Sequence, residues 1–229
     1  MRLALFSLVS FALPLVVRAA TWHTVEWDAP KFTAMSGDFV IPKLPSPGGT
    51  PYVWPALQSN NGVLQAVCDG RNGAWWIGDG FYGTPSLPWG SGFSVRPGDT
   101  VHFTFSSSGI NGETWTATLS GPGSATSTFK ITGSTMNRAI LAVEVRVDKI
   151  NRWKPEAELT GRLWQLTNVS FNFGPVIFKN LVITATTAAS GWCGRTVSLG
   201  YSAGEYTVSG ASASGNTCRV SQVVLPSKA

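Results

Sequence analysis

Apolar and polar residues alternate along most of this chain, in short runs separated by turn-forming pairs. The clearest run is Thr100-Val101-His102-Phe103-Thr104-Phe105. Val101, Phe103 and Phe105 fall on one side and Thr100, His102 and Thr104 on the other, as in a strand with one buried face. The turn Arg96-Pro97-Gly98-Asp99 leads into it. Residues 114–119 alternate in the same way, with Trp115, Ala117 and Leu119 on one face. Further strands are predicted over 140–147, 176–185, 206–208 and 219–225. Only 154–164 has a brief helical period, and Pro155 and Gly161 keep it short. Many close-set strands punctuated by Pro-Gly, Asn-Gly and Asp-Gly, with no periodic helices and no internal repeat, predict an all-β fold. A jelly-roll-like sandwich of two antiparallel sheets suits that pattern.

Composition narrows this to one domain. The 229 residues include only 13% charged side chains, 11% aromatics, 25 Gly and 14 Pro, too apolar for a disordered chain and too rich in turn formers for a helical bundle. Residues 1–19 stand apart. Arg2 opens a short basic region, an apolar run follows, and Val17-Arg18-Ala19 places small residues before a cleavage point. This reads as a secretory signal peptide, leaving 20–229 as a single β-sandwich domain of a secreted protein. No second apolar span is long enough for a membrane helix. Losing Arg2 and Arg18 takes 17 basic residues to 15, against 12 acidic ones, so the mature charge is about +3. With no basic cluster, nucleic acid is not an expected partner. The sequence sets no oligomeric state.

Secretion permits disulfides. Of Cys68, Cys193 and Cys218, the last two flank a strand-like stretch and are expected to pair, although three cysteines allow three single pairings. Cys68 then remains as a buried, small apolar side chain. Asn168-Val169-Ser170 is a glycosylation sequon.

Neither His23 nor His102 has neighbours at metal-ligand spacing, so no metal or other cofactor is expected. Candidate chemistry centres on two strands. In Ala142-Val143-Glu144-Val145-Arg146-Val147 the valines face the core, which puts Glu144 on the opposite face with Arg146. There Glu144 is either half of a surface ion pair or, if that face is concave, an acid–base group in a cleft. Gln65, in Gly62-Val63-Leu64-Gln65-Ala66-Val67, is an amide in an apolar strand. It is either tied to neighbouring backbone or presented to a substrate oxygen. Trp54, Trp75, Trp76, Phe81, Tyr82 and Trp89 make the central third aromatic-rich. They either pack the core or line a groove for sugar rings, a peptide or a terpene-like or polyketide-like molecule.

Six segments in order resemble the secreted fungal glutamic peptidases, the eqolisins: Ser36-Gly37-Asp38-Phe39-Val40-Ile41-Pro42, Gly62-Val63-Leu64-Gln65, Ala74-Trp75-Trp76, Pro97-Gly98-Asp99, Ala139-Ile140-Leu141-Ala142-Val143-Glu144 and Phe173-Gly174-Pro175-Val176-Ile177-Phe178. The likeness spans about residues 36–185. It implies an eqolisin-like, concanavalin A-like sandwich with Gln65 and Glu144 as its catalytic pair. The aromatic-rich third supplies Trp54, Trp75, Trp76 and Tyr82 as candidate substrate-binding residues, with Asp79 and Arg146 as polar members. In this family the Glu is general acid/base on a water and the Gln polarises the scissile carbonyl. This chain departs from the pattern. Ile77 replaces an acidic residue, for which Asp79 is the nearest substitute, and Pro55-Ala56-Leu57-Gln58 stands where the family has Asp-Gly. Arg146 takes an apolar position, and the sequence pI near 9.3 is high for acid catalysis. Retention of the pair without its acidic helpers favours acid–base chemistry on a small, largely apolar molecule, such as dehydration or cyclisation in secondary metabolism, including the hetero-Diels–Alder type. An acid endopeptidase and a non-catalytic carbohydrate- or ligand-binding module are the alternatives.

Overall fold

The computed structural model describes residues 20–44, 50–146 and 173–226. The expected signal peptide, the Asn168 sequon and the helical period expected at 154–164 lie outside these residues, as does the side chain of Arg146.

Among the described residues, fifteen strands form two antiparallel sheets. The first sheet contains β1 (Ala20–Asp28), β3 (Thr50–Ser59), β4 (Gly62–Asp69), β5 (Trp75–Gly83), β6 (Gly92–Val95), β10 (Arg138–Arg146) and β12 (Thr196–Leu199). Its order is β12-β1-β10-β3-β4-β5-β6. The second contains β2 (Phe32–Val40), β7 (Thr100–Ser108), β8 (Thr114–Ser120), β9 (Ser124–Lys130), β11 (Val176–Ala185), β13 (Thr207–Ser209), β14 (Ser212–Ser214) and β15 (Thr217–Leu225). Its order is β13-β15-β11-β2-β7-β8-β9, with β14 also pairing β15. The predicted two-sheet sandwich is the observed fold.

Alternation builds the core. Val101, Phe103 and Phe105 of β7 and Trp115, Ala117 and Leu119 of β8 are buried. They meet Val53 and Leu57 of β3, Leu64 and Ala66 of β4 and Leu141, Val143 and Val145 of β10 in one continuous cluster. Burying a side chain of this size contributes about 1.5–3 kcal/mol. Cys68 lies in the same cluster, and burial pushes its thiol well above the usual range, with Asp69 adding to the effect. It packs as an apolar group. Cys193 and Cys218 form the expected disulfide. It ties the turn at Ala189–Gly191 to β15, and the Trp27 indole donates to the Cys193 carbonyl at 3.2 Å.

The outward face of the second sheet is polar. There His102 Nδ1 lies 2.7 Å from Asp38 Oδ1, and Asn180 donates to Asp38 Oδ2 at 2.8 Å. The outward face of the first sheet differs. Trp54, Ala56, Val67, Ile140 and Ala142 form a second apolar cluster there, separate from the core, with Tyr52 and Val63 packed against it. An antiparallel sheet normally turns polar residues to solvent. An apolar patch in that position marks a binding surface.

Candidate active-site cleft

The apolar cluster floors a cleft of about 1080 Å³. Register places its side chains in four transverse rows, because residues facing one another across antiparallel strands project to the same side. One end row runs Trp22, Glu144, Tyr52, Asp69, Trp76 across β1, β10, β3, β4 and β5. Next come Thr24, Ala142 and Trp54, with Val67, Gly78 and Gly92 level with them. The third row is Glu26, Ile140, Ala56, Gln65, Gly80. The fourth is Asp28, Arg138, Gln58, Val63, Tyr82.

Glu144 therefore stands between two aromatic residues on neighbouring strands. The Trp54 indole, one row along, donates to Glu144 Oε2 at 3.3 Å. Beside them, the Asp69 carboxylate accepts from Arg71 Nε at 2.6 Å and from the Arg71 backbone amide at 3.0 Å. The Arg71 guanidinium lies 5.9 Å from the centroid of the Tyr52 ring, a cation–π distance. The opposite end is also polar. Arg138 meets Glu26 Oε2 at 2.8 Å and Asp28 Oδ1 at 2.7 Å, and the Thr24 hydroxyl donates to Glu26 Oε1 at 2.5 Å. Those groups are satisfied among themselves.

Gln65 faces the cleft, and its amide makes no hydrogen bond to another described residue. It is thus not tied to neighbouring backbone. Gln65 and Glu144 share this cleft without touching. Gln65 faces Ala56, Ala56 faces Ile140, and Glu144 is four residues beyond Ile140 on β10. Two strand spacings and four residue rises separate the Cα atoms by roughly 16 Å on a flat sheet. The floor of Trp54, Ala56 and Ala142 lies between them.

Trp54, Trp76 and Tyr82 line the cleft as expected. Trp75 and Asp79 do not. Trp75 is 1% exposed, sits in the core between the sheets and donates its indole N–H to the Pro42 carbonyl at 2.9 Å. Adjacent strand residues point to opposite faces, so Trp75 and Trp76 were never able to share one wall. Asp79, odd-numbered on β5 like Trp75, also points inward and is fully buried. Burial holds its carboxyl above the usual range. Ser127 and the Ser91 backbone oppose this, but no well-formed hydrogen bond reaches either oxygen. Its backbone has a different task. Asp79 bonds Gly90 and Ser91 at 3.0 and 3.1 Å, clipping the loop that carries Trp89 onto β5. A Cβ on Gly90 would overlap Asp79 Oδ1, so glycine is required at that close approach.

Trp22, Tyr52, Arg71, Arg138 and Leu199 also line the cleft, although sequence reasoning did not single them out. Trp22 and Tyr52 are even-numbered neighbours of Glu144 in register. That relation would have exposed them only once the pairing of β1, β10 and β3 was known.

No protein-family model matches the chain, and no curated protein is significantly similar to it. Solved structures do match. Scytalido-glutamic peptidase with a peptide-based transition-state analogue is 14% identical, with a TM-score of 0.53 over 90% of this chain and 99% of that one. The same peptidase with a transition-state analogue inhibitor is 16% identical, with TM-score 0.53 and the same coverage. SCP-B, a member of the eqolisin family in complex with the tripeptide Ala-Ile-His, is 14% identical over the same shares, with TM-score 0.52. At these identities the likeness is one of fold, spanning nearly the whole of both chains.

Proposed function

We propose that this chain, which has the fold of the glutamic peptidases, uses its cleft for acid–base chemistry on a small, largely apolar molecule. The observation that carries this reading is the apolar floor laid between Glu144 and Gln65. A hydrolytic pair must act together on one carbonyl and its attacking water, which groups at opposite ends of an apolar patch are poorly placed to do. A compact apolar substrate fits that floor, with one end at Glu144 and an oxygen at Gln65.

The reaction we assign is dehydration, followed by cyclisation of the unsaturated product. The Glu144 carboxylic acid gives its proton to a substrate hydroxyl, the C–O bond breaks and water leaves. The Glu144 carboxylate then takes a proton from the adjacent carbon or a conjugated hydroxyl, which restores the acid and completes the new double bond. Gln65 donates to the substrate oxygen that accumulates charge. Trp54 fixes the carboxyl through its indole N–H. The remaining tryptophans exclude water from the reactive product. The disulfide fits a secreted or secretory-pathway protein.

Comparing the metabolites of a producing strain carrying the wild-type protein with those of a Glu144→Gln strain tests this. The variant should accumulate a precursor heavier than the product by one water. Unchanged product would sink the reading. The second reading, an acid glutamic endopeptidase, is favoured by the peptide-bound structures that share the fold. Incubating the protein with unfolded substrate proteins at acid pH, read by mass spectrometry, decides it: cleavage by wild type and not by Glu144→Gln would establish the peptidase.

A further inference from the structure

One wall of the cleft is made of glycine and tryptophan. Between Trp76 and Tyr82, both outward-facing positions of β5 are glycine, Gly78 and Gly80, and Gly92 faces Gly78 across the ladder to β6. These glycines are covered. A Cβ on Gly78 would overlap Cη2, Cζ3 and Cζ2 of Trp76, and one on Gly92 would overlap Trp76 Cζ2. A Cβ on Gly80 would overlap Cε3, Cδ2 and Cζ3 of Trp89 together. Three contiguous ring atoms crowding one point above a Cα describe an indole lying face-down on the backbone. The sheet has lost its side chains here so that two indoles can lie along it. Trp89 is still 43% exposed.

We infer that Trp76 and Trp89 form a stacking shelf for a flat, conjugated ring bearing an oxygen substituent, which Gln65 binds. This rests on the proposal that the cleft is the working site, and it names the substrate class. Gln65 faces Gly80 directly across β4 and β5, so its amide stands at the edge of the Trp89 shelf. The chemistry beside the shelf selects the class. A pyranose presents hydroxyls around its whole rim and needs several polar partners. Between Val63 and Val67, β4 offers one amide, and Asp69, which faces Trp76, is already held by Arg71. A planar ring with apolar edges and one oxygen matches that arrangement, and π-faces prefer offset stacking.

The probes are 2-naphthol, its saturated counterpart decahydro-2-naphthol, and cellotetraose, titrated calorimetrically into the secreted protein with the indole N–H resonances followed by NMR. The flat alcohol should bind about tenfold more tightly than the saturated one and shift the Trp76 and Trp89 signals. Trp89→Ala should erase that preference, and Trp89→Phe should restore part of it. Gly80→Ala, which lifts Trp89 off the sheet, should act like Trp89→Ala. Equal binding of the two alcohols, tighter binding of cellotetraose, or a preference that survives Trp89→Ala would each overturn the shelf. The result stands apart from the turnover test. A flat-ring preference lost in Trp89→Ala upholds the shelf even where Glu144→Gln reacts normally, and equal binding refutes it even where Glu144→Gln abolishes the reaction.

Discussion

Glu144 and Asp79 are both carboxylates on strands of the same sheet, and parity separates their fates. Glu144 faces the cleft, where a proton can be exchanged with a ligand, whereas Asp79 faces the core. Replacing Glu144 with Gln keeps the shape and removes the exchangeable proton. Turnover should fall by at least about 100-fold, while the thermal midpoint stays near that of the wild type. Asp79 should show itself in stability. Its folded-state carboxyl titrates above the ordinary value, so the folded state binds its proton more tightly than the unfolded chain does. That contribution is fully present below the ordinary Asp range and is lost as pH rises through the raised value. Asp79→Asn should therefore melt higher than wild type near pH 7, and the difference should shrink toward about pH 3. A gap that widens on acidification, seen in melting curves across pH, would contradict this account. Gln65 was legible as an unusual amide in an apolar strand, but its lack of a backbone partner was not, since that depends on which groups face it from β3 and β5.

At the scale of elements, β5 carries the sharpest contrast. Trp75 and Trp76 are consecutive, yet one fills the core and the other lies along the cleft. Trp75→Ala should cost about 3–5 kcal/mol of stability by opening a cavity between the sheets. Trp76→Ala should leave the unfolding free energy within about 1 kcal/mol, well short of the loss at Trp75, and weaken ligand binding. Urea titration of both variants checks the pair, and equal losses would mean that the two rings share one environment. The period-two rule contains this distinction, and it was available from the sequence. Aromatic composition alone groups both tryptophans with the cleft, whereas alternation separates them and sends Asp79 inward with Trp75. On β10 the alternation holds: Val143 and Val145 are buried and Glu144 is outward. Strand ends moved by one or two residues, as where 206–208 became Thr207–Ser209 and 219–225 became Thr217–Leu225. Such ends are set by neighbouring strands rather than by local preference.

At the scale of the molecule, two sheets close around one core, and the 25-residue link from Cys193 to Cys218 cinches the C-terminal strands to it. Loop-closure entropy assigns that bond about 3.5 kcal/mol. The Cys193→Ala/Cys218→Ala double variant should melt about 10 °C lower, and calorimetry showing no shift would remove the disulfide from the stability account. The sequence by itself determined the sandwich and the facing of its clearly alternating strands, and it favoured the Cys193–Cys218 pair with Cys68 buried, because these follow from period-two alternation, turn chemistry and cysteine placement within short stretches. Only the tertiary structure decided that the outward face of one sheet is a cleft, that Trp22, Tyr52 and Glu144 stand in one row, and that Gln65 lies four residues along and two strands away from Glu144. Alternation fixes which way a side chain points. Register between strands dozens of residues apart is fixed by the packing of the whole core, and no local pattern records it.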